Sequence, residues 1–378
     1  MQVHDSSPLQ SPGTPIQDLD TPALLLDLDA FQRNVERMAR FFADQPTALR
    51  PHAKTHKCPQ VALRQLQAGA IGITCAKVGE AEVMAEAGVG NILIANQVVS
   101  RPKIDRLTRL ARHCDLIVAV DDPHNIQELA QACQAKGVTL RILVEVDVGM
   151  HRCGVQPGDA VLQLARQIAR ASHLQFAGLL AYEGHLVMVP DPQARATRVR
   201  QAMLPLQETC DLLARAGLPA QIVSGGGTGT YDITGTCPPF TEVEAGSYVF
   251  MDATYRQVRP EFEVALTVLA TVISRPAPDR LIVDAGIKSM TQEFGPPQPL
   301  DVAGATVRKL SEEHGILELV ADPGSVQASP QLALRPGDKM RFIPSHCCTT
   351  VNLHDALHVV QGDVLVDVWP IAARGRAQ

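Results

Sequence analysis

From residue 21 onward, short apolar runs alternate with stretches in which apolar positions recur about every 3.6 residues, the spacing of one helix face. Residues 23–28 read as a strand. Asp29 is placed to cap a helix over 30–42, since an aspartate oxygen accepts from the first free amides of a helix. The next strand begins at 49–50 and leads to a helix over 59–68, a strand at 72–75 and a helix over 78–87. The alternation runs on through strands at 92–95, 116–120, 141–146, 178–181 and 222–224, with helices over 101–112, 123–136, 160–169 and 193–216. No hairpin signal interrupts it, and roughly eight strand–helix units in a row favour a TIM-like parallel β/α barrel over an open doubly wound sheet.

The pattern changes after Tyr255. β-like runs at 264–274, 280–284, 315–320, 339–343, 357–360 and 364–369 are separated by Pro, Gly and Asp, and Gly337 with Asp338 and Gly362 with Asp363 carry hairpin punctuation. The organisation expected is an N-terminal extension over 1–19, a β/α barrel over 20–255 and a mostly antiparallel β domain over 256–378.

Charge and composition narrow the function classes. The formal net charge is -6 and the 34 Lys and Arg are scattered rather than gathered into runs, so no basic footprint for nucleic acid is present. The longer apolar stretches, such as 264–273, stop well short of the roughly 20 residues that a bilayer requires. The first twenty residues are polar and contain proline, without the basic start and apolar centre of a signal peptide, which points to a cytoplasmic protein. Nine cysteines, an odd number without a regular framework, read as free thiols in a reducing compartment. Cys347 and Cys348, adjacent to His346, stand out from the rest.

In a β/α barrel the chemistry lies at the carboxyl ends of the strands. Arg50-Pro51-His52-Ala53-Lys54-Thr55-His56-Lys57 falls there, after the second expected strand, although a lysine between two histidines also suits a solvated loop. Ser224-Gly225-Gly226-Gly227-Thr228-Gly229-Thr230 follows a late strand, where glycines let backbone amides approach an anion and where barrels often hold phosphate. Gly246-Ser247-Tyr248 could add amides to the same anion. Arg152, in a loop after another strand, offers a fixed cationic fork.

Taken in order, these segments resemble the fold-type III pyridoxal-phosphate enzymes, the alanine-racemase-like barrels, and within them the D-threonine aldolase and D-serine dehydratase branch. The resemblance spans nearly the whole chain. Its most specific pieces are the motif from Arg50 to Lys57, the loop from Gly225 to Gly229, Gly246 to Asp252, Val283-Asp284-Ala285-Gly286-Ile287-Lys288, Glu313-His314-Gly315 and Ser345-His346-Cys347-Cys348-Thr349-Thr350-Val351-Asn352-Leu353-His354-Asp355.

The resemblance implies that Lys54 carries pyridoxal 5'-phosphate as a Schiff base and that Arg152 lies near the cofactor's phenolic oxygen. It implies that Tyr182, Ser224, Gly226, Gly227, Thr228, Gly246, Ser247 and Tyr248 line the ring and phosphate, and that His346 and Cys348 bind a divalent metal near the substrate's β-hydroxyl. Aldolases of the family usually show His-Cys-Asp where this chain has His346-Cys347-Cys348. An imidazole with a thiolate is a softer pair, better suited to zinc than to manganese or magnesium. Cys347 is expected to point away, because neighbours on a strand face opposite sides.

The implied activity is retro-aldol cleavage of a β-hydroxy-D-amino acid to glycine and an aldehyde, with His52 or a metal-bound water taking the hydroxyl proton. The alternative is β-elimination to a keto acid and ammonia, as in dehydratases of D-serine or 3-hydroxy-D-aspartate. Racemization fits less well, because all four tyrosines, Tyr182, Tyr231, Tyr248 and Tyr255, precede the β domain that supplies the second base in alanine racemases. A non-catalytic cofactor carrier of this family lacks that domain. Family members are usually homodimers, which makes Glu312, Glu313 and His314 candidates for contribution from the partner subunit.

Overall fold

The computed structural model describes residues 11–319 and 334–378, so Val320 and the first ten residues of the expected extension lie outside it. Its strands and helices, in chain order, begin with β1 (Ala23–Asp27) and α1 (Leu28–Ala43). Asp27, rather than Asp29, caps α1: its Oδ1 accepts from Ala30 N at 2.9 Å, and Asp29 falls inside the first turn. The elements then alternate through β2 (Ala48–Leu49), α2 (Pro59–Gln67), β3 (Ile73–Cys75), α3 (Val78–Glu86), β4 (Asn91–Gln97) and α4 (Arg101–Leu110). They continue with β5 (Asp115–Val120), α5 (Pro123–Lys136), β6 (Leu140–Glu145), α6 (Asp159–Arg170), β7 (Leu174–Ala181), α7 (Pro192–Arg215), β8 (Ile222–Gly225), α8 (Tyr231–Thr234) and β9 (Glu242–Val243). Two compact units result: one holds the described residues up to Asn34 together with Val249–Arg374, the other Val35–Tyr248 with Gly375–Gln378.

In the second of these units, eight strands lie in the order β2-β9-β8-β7-β6-β5-β4-β3, every neighbouring pair parallel. The ring closes where the chain leaving β2 meets β3: Ile71 N donates to Leu49 O at 3.0 Å and Thr74 N to Pro51 O at 2.9 Å. Strands such as Asp115–Val120 and Leu140–Glu145 are buried along nearly their whole length, as parallel strands covered by helices must be. Local signals set the helices between them. Asp122 accepts from His124 N and Asn125 N at the start of α5, Pro123 takes the first helical position, and Gly137 ends the helix at φ 64, a left-handed conformation open to glycine.

The barrel expected from sequence is present, with a different first and last strand. β1, read as its opening strand, instead pairs antiparallel with the later strand Leu266–Ala277 and parallel with Ala356–Gln361. An Ala-Leu-Leu-Leu run buried on both faces reads alike in either sheet. The barrel's last strand is β9, two residues long and opened by a glutamate, too short and too polar to register as a strand.

Among the described residues, the other unit carries a nine-stranded sheet. Its elements are β1 with β10 (Leu266–Ala277), β11 (Arg280–Val283), β12 (Gln298–Pro299), β13 (Ala305–Leu310), β14 (Gly315–Leu319), β15 (Lys339–Ile343), α9 (Cys347–Val351), β16 (Ala356–Gln361) and β17 (Val364–Pro370). The main path runs β13-β14-β11-β10-β1-β16-β17, and β15 pairs with both β10 and β12. All pairings are antiparallel except β1 with β16. Gly362 and Asp363 form the tight link between β16 and β17, with Gly362 at φ 59. β13 escaped the sequence pattern because a bulge between Val307 and Lys309 breaks its alternation. An aromatic core anchors the unit, with Phe31 lying 6.5 Å from the Phe250 ring and 6.2 Å from Trp369.

Candidate active site

Lys54 lies in a single 3-10 turn, Ala53–Thr55, directly after β2, the first barrel strand rather than the second. Its backbone amide donates to Nδ1 of His52 at 3.3 Å. Nδ1 is thereby an acceptor and Nε2 carries the ring proton. Burial, followed by the charges of Lys54, His56, Lys57 and Arg152, pushes His52 well below the ordinary imidazole range. His52 is therefore a neutral donor at Nε2, better suited to holding a substrate than to taking a proton from it.

Tyr182 follows the end of β7, and two cationic groups converge on its ring. Lys54 Nζ lies 5.5 Å from the ring centroid and Arg152 Cζ 5.7 Å. Arg152 is also 3.9 Å from Glu145 at the end of β6. Gln97, at the end of β4, donates to Glu145 at 2.5 Å and to Asp121 at 3.1 Å, so three neighbouring strands brace the loop that carries the arginine. Gln97, Asp121 and Glu145 carried no sequence signal, being single polar residues at strand ends.

The glycine loop follows β8, and its donors are not equivalent. Gly226 N is committed to Glu183 at 3.1 Å and Gly227 N to Thr230 Oγ1 at 3.3 Å. Tyr248 N donates to Thr228 Oγ1 at 3.0 Å and is thereby committed, while the Tyr248 hydroxyl accepts from Gln65 at 3.0 Å. Ser224 is also spent inward, its hydroxyl donating to Glu244 Oε1 at 2.7 Å. Burial pushes Glu244 up to about 7, against the Ser224 hydrogen bond and with help from Glu242. By contrast, the buried amides of Thr228 and Gly246 donate to none of the described residues. Buried N–H groups without acceptors are costly, so these two suit a bound anion. Gly246 also packs so tightly on Thr55 and His52 that a side chain would collide with the turn bearing Lys54.

The metal candidates belong to the other unit. His346, Cys347 and Cys348 stand at the start of α9, and their ligand atoms all lie within 4.8 Å of one another. The segment is helical, so the strand argument that turned Cys347 away does not apply. Cys347 is fully buried and Cys348 partly exposed. Asp252 Oδ2 accepts from His346 Nδ1 at 2.8 Å and from Cys347 N at 3.0 Å, while Oδ1 accepts from Thr254 N at 3.0 Å and Tyr255 N at 2.7 Å. This carboxylate fixes the imidazole with Nε2 left for a cation. Burial pulls His346 down, yet the Cys348 charge, the Asp252 and Cys348 hydrogen bonds and the Asp252 charge raise it to about 11. With ligand atoms this close together, the imidazole and the sulfur form a donor set that could hold a divalent cation. His354 Nε2 donates to Ser289 O at 2.7 Å, and Lys288 pairs with Glu313 at 2.5 Å.

Comparison with known proteins gives the family. The alanine racemase N-terminal domain matches residues 26–254, and the putative serine dehydratase domain matches 265–360. A D-threonine aldolase of Arthrobacter sp is 43% identical over 372 residues, 97% of this chain and 96% of that protein. The D-threo-3-hydroxyaspartate dehydratase of Delftia sp. (strain HT23) is 34% identical over 371 residues, 93% of this chain and 97% of that protein. The crystal structure of D-threonine aldolase from Filomicrobium marinum superposes with a TM-score of 0.94 at 40% identity, covering 98% of this chain and 100% of that one. The chain belongs to the fold-type III pyridoxal-phosphate family, in its branch of D-threonine aldolases and D-serine dehydratases, and is a lyase.

Proposed function

We propose that the protein cleaves β-hydroxy-D-amino acids to glycine and an aldehyde, using pyridoxal 5'-phosphate and a divalent metal. The observation that carries this reading is the convergence of Lys54 and Arg152 on Tyr182, in the unit that holds the uncommitted amides of Thr228 and Gly246. Bound there, the cofactor supplies an electron sink that makes the bonds at the substrate's Cα labile. Lys54 would hold its aldehyde carbon, Arg152 its phenolic oxygen, Tyr182 a face of the ring, and Thr228, Gly246 and Ser247 its phosphate. Gly226, Gly227, Ser224 and Tyr248 shape this cradle from behind rather than touch the phosphate. His52 offers Nε2–H to the substrate.

His346 Nε2 and the Cys348 sulfur would hold the metal, which supplies a lowered pKa at the β-hydroxyl. The soft donor pair favours zinc over manganese or magnesium. It also supports a second reading, β-elimination from D-serine or 3-hydroxy-D-aspartate, because this is where the chain departs from the aldolase His-Cys-Asp pattern. The working assembly is a homodimer, and nine free cysteines with no helix among the described residues able to cross a membrane fit a cytoplasmic setting.

Product analysis separates the two reactions. Metal-loaded holoenzyme incubated with D-threonine should give glycine and acetaldehyde; 2-oxobutanoate with ammonia instead would assign it to the dehydratases.

A further inference from the structure

Directly behind the glycine loop lies an acidic side chain that repels phosphate. Glu183, next to Tyr182, is fully buried, and its carboxyl group accepts from Gly226 N at 3.1 Å, Thr230 Oγ1 at 2.6 Å and Thr234 Oγ1 at 2.5 Å. Thr230 Oγ1 passes the effect on by accepting from Gly227 N at 3.3 Å. Two loop amides are thus drawn to the carboxylate, one directly and one through a hydroxyl. The inward turn requires Gly226 at φ 72, where a Cβ would press on Thr234 and Val243 at 3.1 Å. Thr228 N and Gly246 N remain uncommitted, and the Thr228 hydroxyl oxygen accepts from Tyr248 N at 3.0 Å, which ties the two glycine segments together.

We propose that Glu183 is a positioning residue for the cofactor's phosphate: it fixes which amides of the loop turn inward and so which remain for the anion. A negative charge opposes a phosphate directly, so its contribution runs through loop geometry. A carboxylate is required because both oxygens accept. A glutamine could satisfy the two threonine hydroxyls with its oxygen, but its amino group would then face the Gly226 N–H, donor against donor.

This inference rests on the cofactor reading above, and the experiment separates the two. Full-length apoprotein is titrated with pyridoxal 5'-phosphate and with pyridoxal, which has the same aldehyde and ring but no phosphate. Wild type should prefer the phosphorylated form strongly, and Glu183→Gln should weaken that form alone, by about tenfold, the scale of one lost buried hydrogen bond. Equal weakening of both ligands, or of neither, overturns the positioning role. A wild type that binds the two alike removes the cofactor reading itself. Should Glu183→Gln fail to fold by circular dichroism, Thr230→Val carries the test: it cuts the relay from Gly227 and should lower the same ratio several-fold, and an unchanged ratio overturns the proposal.

Discussion

Two cationic side chains share the ring of Tyr182, and only one of them can anchor an aldehyde. A guanidinium offers donors only and is not a nucleophile, whereas the amine of Lys54 can attack a carbonyl carbon. Lys54→Ala should therefore abolish the near-visible absorbance of the lysine-bound cofactor while leaving the fold intact by circular dichroism; an unchanged spectrum removes the anchor. At the proposed metal site the sulfur that meets the His346 ring is that of Cys348, which adds both charge and a hydrogen bond to the imidazole. Cys348→Ser should then weaken zinc retention by more than the roughly 10- to 100-fold typical of losing an outer partner, and Cys347→Ser by less. Metal analysis after dialysis checks this, and equal losses would undo the choice of ligand. At this scale the residue types were legible, but not their commitments. Nothing in the sequence tells that Ser224 and Tyr248 spend their polar groups inward or that His52 Nδ1 is occupied, because each depends on a partner far along the chain.

The turn carrying Lys54 is held by elements distant in sequence. Arg50, the residue directly after β2, makes a two-pronged ion pair with Glu242 of β9, Nε to Oε1 at 2.9 Å and Nη2 to Oε2 at 3.0 Å, both side chains about 3% exposed. Removing one partner of such a pair leaves a buried charge uncompensated. Glu242→Ala is expected to cost about 3–5 kcal/mol in urea unfolding, and a loss below about 1 kcal/mol would show that water or Asn91, whose Oδ1 accepts from Arg50 Nη1, compensates. This pair also explains what sequence reading missed. Periodicity found the alternation and the helix caps, since both are local. It assigned β1 to the barrel and overlooked β9, because membership of a sheet is decided by which strands pair, and a two-residue strand opened by a glutamate has no pattern of its own.

For the whole molecule, the proposed cofactor and metal residues fall in separate compact units: Lys54, Arg152, Tyr182 and Thr228 in the barrel unit, His346, Cys348 and Asp252 in the unit with the mixed sheet. Neither set depends on the other for its internal hydrogen bonds, since Asp252 positions His346 from within its own unit and Glu183 braces the glycine loop from within the barrel. Removal of the metal should therefore leave the cofactor's absorbance in place while abolishing turnover, and zinc should restore turnover at lower concentration than manganese or magnesium, as the imidazole–thiolate pair demands. The check is a chelator titration followed in parallel by absorbance and by glycine release, then metal add-back. Were turnover to survive full metal removal, the role of the metal would be lost; were the cofactor band to vanish along with the metal, the independence of the two residue sets would be.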